Sequence, residues 1–549
     1  MTFCRKKAGA VEVGDRISAE WVVLVALVGL FARPRGGFCE SPRAEIAEIR
    51  IVCENVFDTN LPGYDGWAYR LVDSLHVTTS ESFVRQLLPL VPGQNVSAEE
   101  ISEAERVLRT FSFLRSAEVR RVPREDSRID IEVRTRDAWT TKVGASFGGV
   151  SGATHYGFGA EEVNFLGFGK TIEVSFQKNP ERTTKSLLFF DPRLLGTNHV
   201  VELEYRDGTD GRGFRGRGER PLRLGADPWG WSIEGEDLRQ TVSIYRHGET
   251  SSTISEHIRR FGAELLGTAR GSAVETLRLG VGLVRLRDDF EPLDLARPDD
   301  RPADRDRADL YGILRFQQLR FHSGAYINRF SRVEDIPIGF DLELRGGLSP
   351  KAFAGSENVL LTSGHISKGF EVEERSFGLF KAEWDYRHGT EGRERSGRLI
   401  VDGTLFYRGT SWPERNLLVF HLRYGMGSGL APQDRFLLGG DNGLRGYLSH
   451  FYDGDRTALL NIEHRFSGET EFLNLVQIGA AAFFDAGVAA DHRAWNPGSW
   501  RSSIGVGLRA AVPRSTHVNV IRLDVSYPFS DDLQAKRGIV ISFGSGQAF

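Results

Sequence analysis

The chain has 549 residues, with 70 Lys and Arg against 74 Asp and Glu, a formal net charge of −4 and a mean hydropathy of −0.30. That length holds two or three ordinary domains, or one small domain and a large barrel, and the slightly acidic balance argues against a protein that coats nucleic acid. Glycine is abundant at 62 residues, and the 36 Phe outnumber Tyr and Trp together. Such a composition suits a barrel and leaves a multi-domain enzyme open.

The N-terminus carries Arg5-Lys6-Lys7 and then an apolar run from Trp21 to Ala32. Basic residues followed by a run this short read as a signal peptide rather than a membrane span, with a buried core segment as the alternative. Residues 1–40 are therefore expected to be a leader. Cysteines occur only at Cys4, Cys39 and Cys53, so no disulfide framework supports the main body. Cys39 and Cys53 could pair in an oxidising compartment.

Residues 45–138 read as one small α+β unit. Ile46–Val52 suggests a strand, and Thr79–Leu88 a helix stopped by Pro89 and by Pro92-Gly93. Ser97-Ala-Glu-Glu100 is a capping box, and the helix it starts places Ile101, Ala104, Leu108 and Phe111 on one face. Ala117–Val122 and Ile129–Val133 predict two closing strands. The order strand, helix, helix, strand, strand, with Leu108-Arg-Thr-Phe-Ser-Phe-Leu-Arg-Ser-Ala-Glu-Val119 leading into the second strand, resembles a polypeptide-transport-associated (POTRA) domain. The pattern alone fits a generic α+β fold as well. The resemblance implies a periplasmic module that binds unfolded client polypeptides by pairing them with an edge strand.

From residue 139 onward the hydrophobic period is two. Ile172, Val174 and Phe176 alternate with polar neighbours. So do Phe420, Leu422 and Tyr424; Ile504, Val506 and Leu508; and Ile521, Leu523, Val525 and Tyr527. A soluble sandwich and a membrane barrel both alternate in this way; the export pattern favours the barrel. About 16 antiparallel strands are expected over residues 139–549. Arg287–Ala308, dense in Asp, Arg and Pro, reads as a large solvated loop, and Asp207–Pro228 as a similar one. Gly167-Phe-Gly-Lys-Thr171 only faintly resembles a phosphate loop and lies in a strand-turn-strand context. No nucleophile elbow and no His-Glu-x-x-His occurs, so no enzyme, metal or cofactor is expected.

The densest motif is Phe436-Leu-Leu-Gly-Gly-Asp-Asn-Gly-Leu-Arg-Gly-Tyr447, followed by Phe483-Phe-Asp-Ala-Gly487. Gly439, Gly440, Gly443, Leu444, Arg445, Gly446 and Tyr447 form its distinctive part. Arg445 could be buried in a lumen only beside a carboxylate. Asp485 is the first candidate and Asp441, in the loop itself, the local alternative. Strand phase puts Asn461, Glu463 and Arg465 on one face, and Asp485 on a face with Gln477, Gly479 and Ala481. The chain ends in Lys536-Arg-Gly-Ile-Val-Ile-Ser-Phe543, where Gly538, Ile541 and Phe543, with the terminal Phe549, fit the signal of a final outer-membrane strand.

Together with Asn461-Ile-Glu-His-Arg465 and Leu523-Asp-Val-Ser-Tyr-Pro-Phe529, these motifs resemble the BamA/TamA-type outer-membrane assembly factors. The resemblance implies one POTRA domain before a surface-antigen-type barrel in a Gram-negative-type outer membrane. It also implies a lumenal loop whose Arg445 meets Asp485 and Glu463, and ATP-free insertion of client proteins through a seam between the first and last strands. That seam would join Thr140–Phe147 to Gly538–Phe543. Outer-membrane lipid, unfolded clients and periplasmic chaperones or accessory proteins are the implied partners. The competing expectation is a polypeptide translocation pore or passive channel, as in two-partner secretion; a structural surface antigen is a third. The resemblance departs in having a single POTRA domain, with no room before it for a plug helix.

Overall fold

The computed structural model describes residues 43–549 except 58–65, 67–69, 71–73, 75, 151–152, 180–181, 226, 247, 332, 374, 441, 473–475, 513–519, 530–537, 546 and 548–549. The leader, Cys39, Asp441 and Phe549 lie outside the described residues. Cys53 is half-buried.

The N-terminal part contains β1 (Ala44–Glu54), α1 (Glu81–Leu87), β2 (Asn95–Val96), α2 (Ala98–Arg109), β3 (Leu114–Pro123) and β4 (Ile129–Asp137). The sheet runs β2-β1-β4-β3, with β1 parallel to β4 and the other pairs antiparallel. α1 is shorter than the predicted 79–88 because Ser80 caps it, its hydroxyl accepting from the Phe83 N–H at 3.2 Å. α2 starts at the expected capping box: Ser97 Oγ accepts from Glu100 N–H, and Glu100 accepts from Ser97 N–H at 2.8 Å. Its apolar face buries Ile101, Ala104 and Leu108 against Ile49, Ile131 and Val133, while Phe111 sits half-buried past the helix end. A bulge in β1 between Ile46 and Glu48 keeps both Ile46 and Ile49 on the core side.

From Thr141 to Ser545 the described residues build one closed barrel of twenty antiparallel strands, not the expected sixteen. The two stretches read as loops account for part of the difference. Gly211–Arg220 is a wall strand. Its outer positions Gly216 and Gly218 pair with Leu203 and Val201 but carry no side chain, so the alternation is invisible in hydropathy. Arg287–Ala308 is largely strand as well. Asp288 pairs in register with Arg305 and Arg287 with Asp306, so opposite charges face each other along the ladder. That charged ladder joins the strand Glu275–Leu295 to the strand Arg305–Gln318.

The wall has its apolar side outward. On Arg501–Ala511, Ile504, Val506 and Leu508 are exposed while Ser503 and Arg509 are buried. Alternation of this sign, polar inside and apolar outside, is that of a barrel in lipid. No helix among the described residues is long and apolar enough to cross a membrane.

The N-terminal sheet sits against one mouth of the barrel, here the near mouth. The glycine-rich stretch at 167–171 is the wall turn that receives it. Ser80 N–H donates to Gly167 O at 3.1 Å, and Asn164 Nδ2 donates to Thr79 Oγ1 at 2.9 Å. Thr79 in turn donates through its N–H and Oγ1 to the two oxygens of Asp137, and His76 lies 2.9 Å from the same carboxylate. This buried polar knot satisfies its own groups and fixes the join.

Candidate functional site

Two segments enter the lumen, one from each mouth. From the far mouth comes the connection between the strands Asn416–Ser428 and Arg456–Phe472. A short ladder, Phe436–Leu438 with Tyr452–Gly454, narrows its neck, and the intervening residues descend along the inner wall. The tip folds back on itself: Leu444 N–H donates to Gly439 O at 3.0 Å and Gly440 N–H to Leu448 O at 3.2 Å. Leu444 and Tyr447 pack with Leu438, Leu459 and Ala489, and Tyr447 Oη donates to Ser502 O at 3.0 Å. Gly446 has a φ of +130°, and a Cβ there would stand 2.8 Å from Ser503 Cβ.

This fold delivers Arg445 into a cluster of buried charge. Arg445 Nε and Nη2 each donate at 2.9 Å to the two oxygens of Asp485, and its backbone N–H adds a third bond at 3.2 Å. Nη1 donates to Glu463 at 2.5 Å and lies 3.8 Å from Asp524. Asn461 Nδ2 ties Asp485 to the loop, reaching both Asp485 Oδ1 and Gly443 O at 2.7 Å. Arg509 donates to Asp524 at 2.6 Å, and Arg465 to the second oxygen of Glu463 at 2.9 Å. Arg445, Glu463, Asp485 and Asp524 are all essentially inaccessible to solvent. Such a cluster persists because each charge has an opposite partner and most of its polar atoms are hydrogen-bonded, although Asp524 Oδ2 and Arg509 Nε are not.

The structure thus brings Gly439, Gly440, Gly443, Leu444, Arg445, Gly446 and Tyr447 together with Asp485 and Glu463. Strand phase already turned Asn461 and Arg465 inward, but their bonds were not legible. The inward parity of Asp524 and Arg509, visible in the alternation of the last strands, was the available signal for those two. Gly538 stands outside the last strand, Val540–Ser545; Ile541 on that strand faces outward, and Phe543 is half-buried. Among the described residues the closing ladder between last and first strands is two pairs, Ser542 with Val150 and Phe543 with Gly149. The expected seam at Thr140–Phe147 is therefore displaced toward the far end of the first strand.

The second lumenal segment was not expected. At the near mouth, Phe321–Gly324 and Glu334–Pro337 form a hairpin between two wall strands. Its tip turns into the barrel, where Arg465 donates to Ile327 O at 3.1 Å. Arg465 therefore joins both segments: Arg445 to Glu463, Glu463 to Arg465, and Arg465 to Ile327.

A closed barrel with an apolar exterior, and a glycine-rich loop locked by buried charge inside it, is the build of an outer-membrane β-barrel. Residues 388–549 match the Omp85 superfamily domain. No curated protein matches the chain. Among solved structures it is similar to BamA from Haemophilus ducreyi lacking POTRA domains 1-3, at 13% identity over 92% of this chain and 85% of that one, with a TM-score of 0.38. It is similar to CdiB from Acinetobacter baumannii at 11% identity, 96% of each chain and a TM-score of 0.42. With CdiB from Escherichia coli the identity is 12%, over 94% of this chain and 93% of that one, and the TM-score 0.45.

Proposed function

We propose that the chain is a non-enzymatic polypeptide translocation pore of the outer membrane, with residues 45–138 acting as a POTRA domain in the periplasm. One observation carries this reading: both mouths send a segment into the lumen, and neither segment belongs to the barrel wall. A wall of twenty strands encloses more space than its own side chains can fill. Closing such a lumen with separable segments suits a path that opens. Outer-membrane lipid meets the outer face, and unfolded clients approach through the edge strand β3. The Val119 N–H of β3 is taken by Glu105 at 2.9 Å, so a client would have to displace that contact. Chaperones or accessory proteins would deliver those clients.

The second reading, insertion of client barrels through the wall, is favoured by the two-pair closing ladder. Two assays on the purified full chain in liposomes separate the readings. Passage of an unfolded labelled polypeptide to an enclosed protease supports the pore; faster folding of an added client barrel, without passage, overturns it in favour of insertion.

A further inference from the structure

The hairpin at the near mouth is held in an unusual manner. Its tip is gripped mainly by its main chain. Arg408 Nη2 donates to Ala325 O at 3.1 Å, Arg465 Nη1 to Ile327 O at 3.1 Å, and Gln547 Nε2 to Asn328 O at 3.3 Å. Three donors from separate parts of the chain thus meet carbonyls within four consecutive residues. Carbonyls are common to every polypeptide, so such a grip is indifferent to sequence.

Two side chains add anchorage. Ile327 is buried with Phe377, Leu417 and Val419, and Phe330 with Ala511 and Val520. The Phe330 socket depends on a missing side chain: a Cβ at Gly479 would come 3.1 Å from Phe330 Cζ. The sockets are spaced three residues apart along the bound segment.

The hairpin's own pairing is slight. Its own ladder is four pairs, Phe321 with Pro337 through Gly324 with Glu334, and a lone two-stranded ladder is marginal in water. Outside the lumen it is tied to α2: Arg109 Nε donates to Asp335 at 2.8 Å, and Arg106 lies 4.7 Å from the Phe321 ring centre. The N-terminal unit therefore touches the base of the segment whose tip stops the lumen.

We infer that the inner wall around Arg408, Arg465 and Gln547 is a binding site for a bent polypeptide segment with an aliphatic residue followed three positions later by an aromatic one, as in the tip itself, where Tyr326 turns the chain with a φ of +58°. The hairpin is its resident occupant. Resting on the pore reading above, the site is where a client segment replaces the hairpin on its way through the barrel.

The test is conductance of the purified full chain in planar bilayers, with residues 321–337 replaced by a four-residue Gly-Ser linker. Ladder pairing of Phe321 with Pro337 makes so short a closure feasible. The replacement should raise conductance severalfold over wild type. A synthetic peptide of sequence 321–337 should then close the channel saturably, and the same peptide with Ile327→Asp and Phe330→Asp should bind at least roughly tenfold more weakly. Unchanged conductance on replacement overturns the plug, and a block indifferent to both peptide substitutions overturns the site. Should the replacement fail to give a heat-modifiable barrel, the full chain with Ile327→Asp and Phe330→Asp serves instead. It should conduct more than wild type and be closed by the unaltered peptide; wild-type conductance overturns the inference. A protein that shows this pattern but passes no polypeptide in liposomes refutes the pore reading and leaves the peptide site standing.

Discussion

The guanidinium of Arg445 lies with its carbon 3.5 Å from the centre of the Phe483 ring, while its edge is bonded to Asp485 two residues along the same strand. Phe483 and Asp485 share a face, so one strand supplies both a platform and a counter-charge. The ring covers the cation on one side and keeps water from the carboxylates, where charge-assisted bonds are strong.

Arg445→Ala would leave Asp485 and Glu463 buried with their central cation gone. Loss of one partner of a buried ion cluster costs about 3–5 kcal/mol. The barrel band of unheated protein on a denaturing gel should unfold at a clearly lower temperature than wild type. Arg445→Lys keeps the charge without the fork and should fall between the two. Wild-type heat resistance in the Ala variant would show that the cluster does not hold the loop.

Gly446→Ala tests the loop backbone separately from its charge. The new methyl group meets Ser503 Cβ at 2.8 Å, at a φ of +130° that side chains rarely adopt. The loop should lift and become sensitive to added protease. Gly235→Ala is the control, because a Cβ at Gly235 has nothing within 4 Å. Equal protease sensitivity of the two variants would contradict this account of the turn.

Burial pushes the Glu103 carboxyl above the usual carboxylate range, although Gly225 N–H donates to it at 2.9 Å and Arg106 lies 3.7 Å away. A raised folded-state value means that Glu103 favours the docked state fully below its unfolded value of about 4.3, and that this contribution fades as pH rises through the folded value. Docking of α2 on the connection around Gly225 should therefore tighten as pH falls from neutral through the carboxylate range. Glu103→Gln keeps an acceptor for Gly225 and removes the titration. The pH dependence of the thermal midpoint should flatten in this variant. An unaltered slope would assign the effect to another group.

Strand phase carried much of what could be read from the chain. Asn461, Glu463 and Arg465 alternate with Leu460, Ile462 and Phe466, so their common face followed from a period of two. The meeting of Arg445 with Asp485 followed from charge and phase together. Period two says nothing about a strand whose outer residues are glycine, as at Gly216 and Gly218, or whose residues are charged on both faces, as at Arg287 and Asp288. The strand number was therefore underestimated. The near-mouth hairpin was hidden for a different reason. Its grip uses backbone carbonyls at Ala325, Ile327 and Asn328, which leave no mark in side-chain sequence.

The closing ladder is where insertion and translocation part company. Neighbouring wall strands pair over long registers, as Trp229–Arg246 does with Glu249–Gly267, whereas the last and first strands share two pairs among the described residues. Each ladder bond adds only modestly to stability, so a two-pair joint can open while its neighbours hold. Directly opposed residues in an antiparallel pair have Cβ atoms about 4.5–5.5 Å apart, which small adjustments bring within disulfide range. Gly149→Cys with Phe543→Cys should therefore cross-link under oxidation, because the two residues are ladder partners. A locked joint should abolish folding of client barrels if the wall must open, and reduction should restore it. Passage of unfolded polypeptide through the lumen should survive the lock. If the locked protein loses passage but still folds clients, the assignment of the two routes is reversed, and the lumenal segments are not the gate.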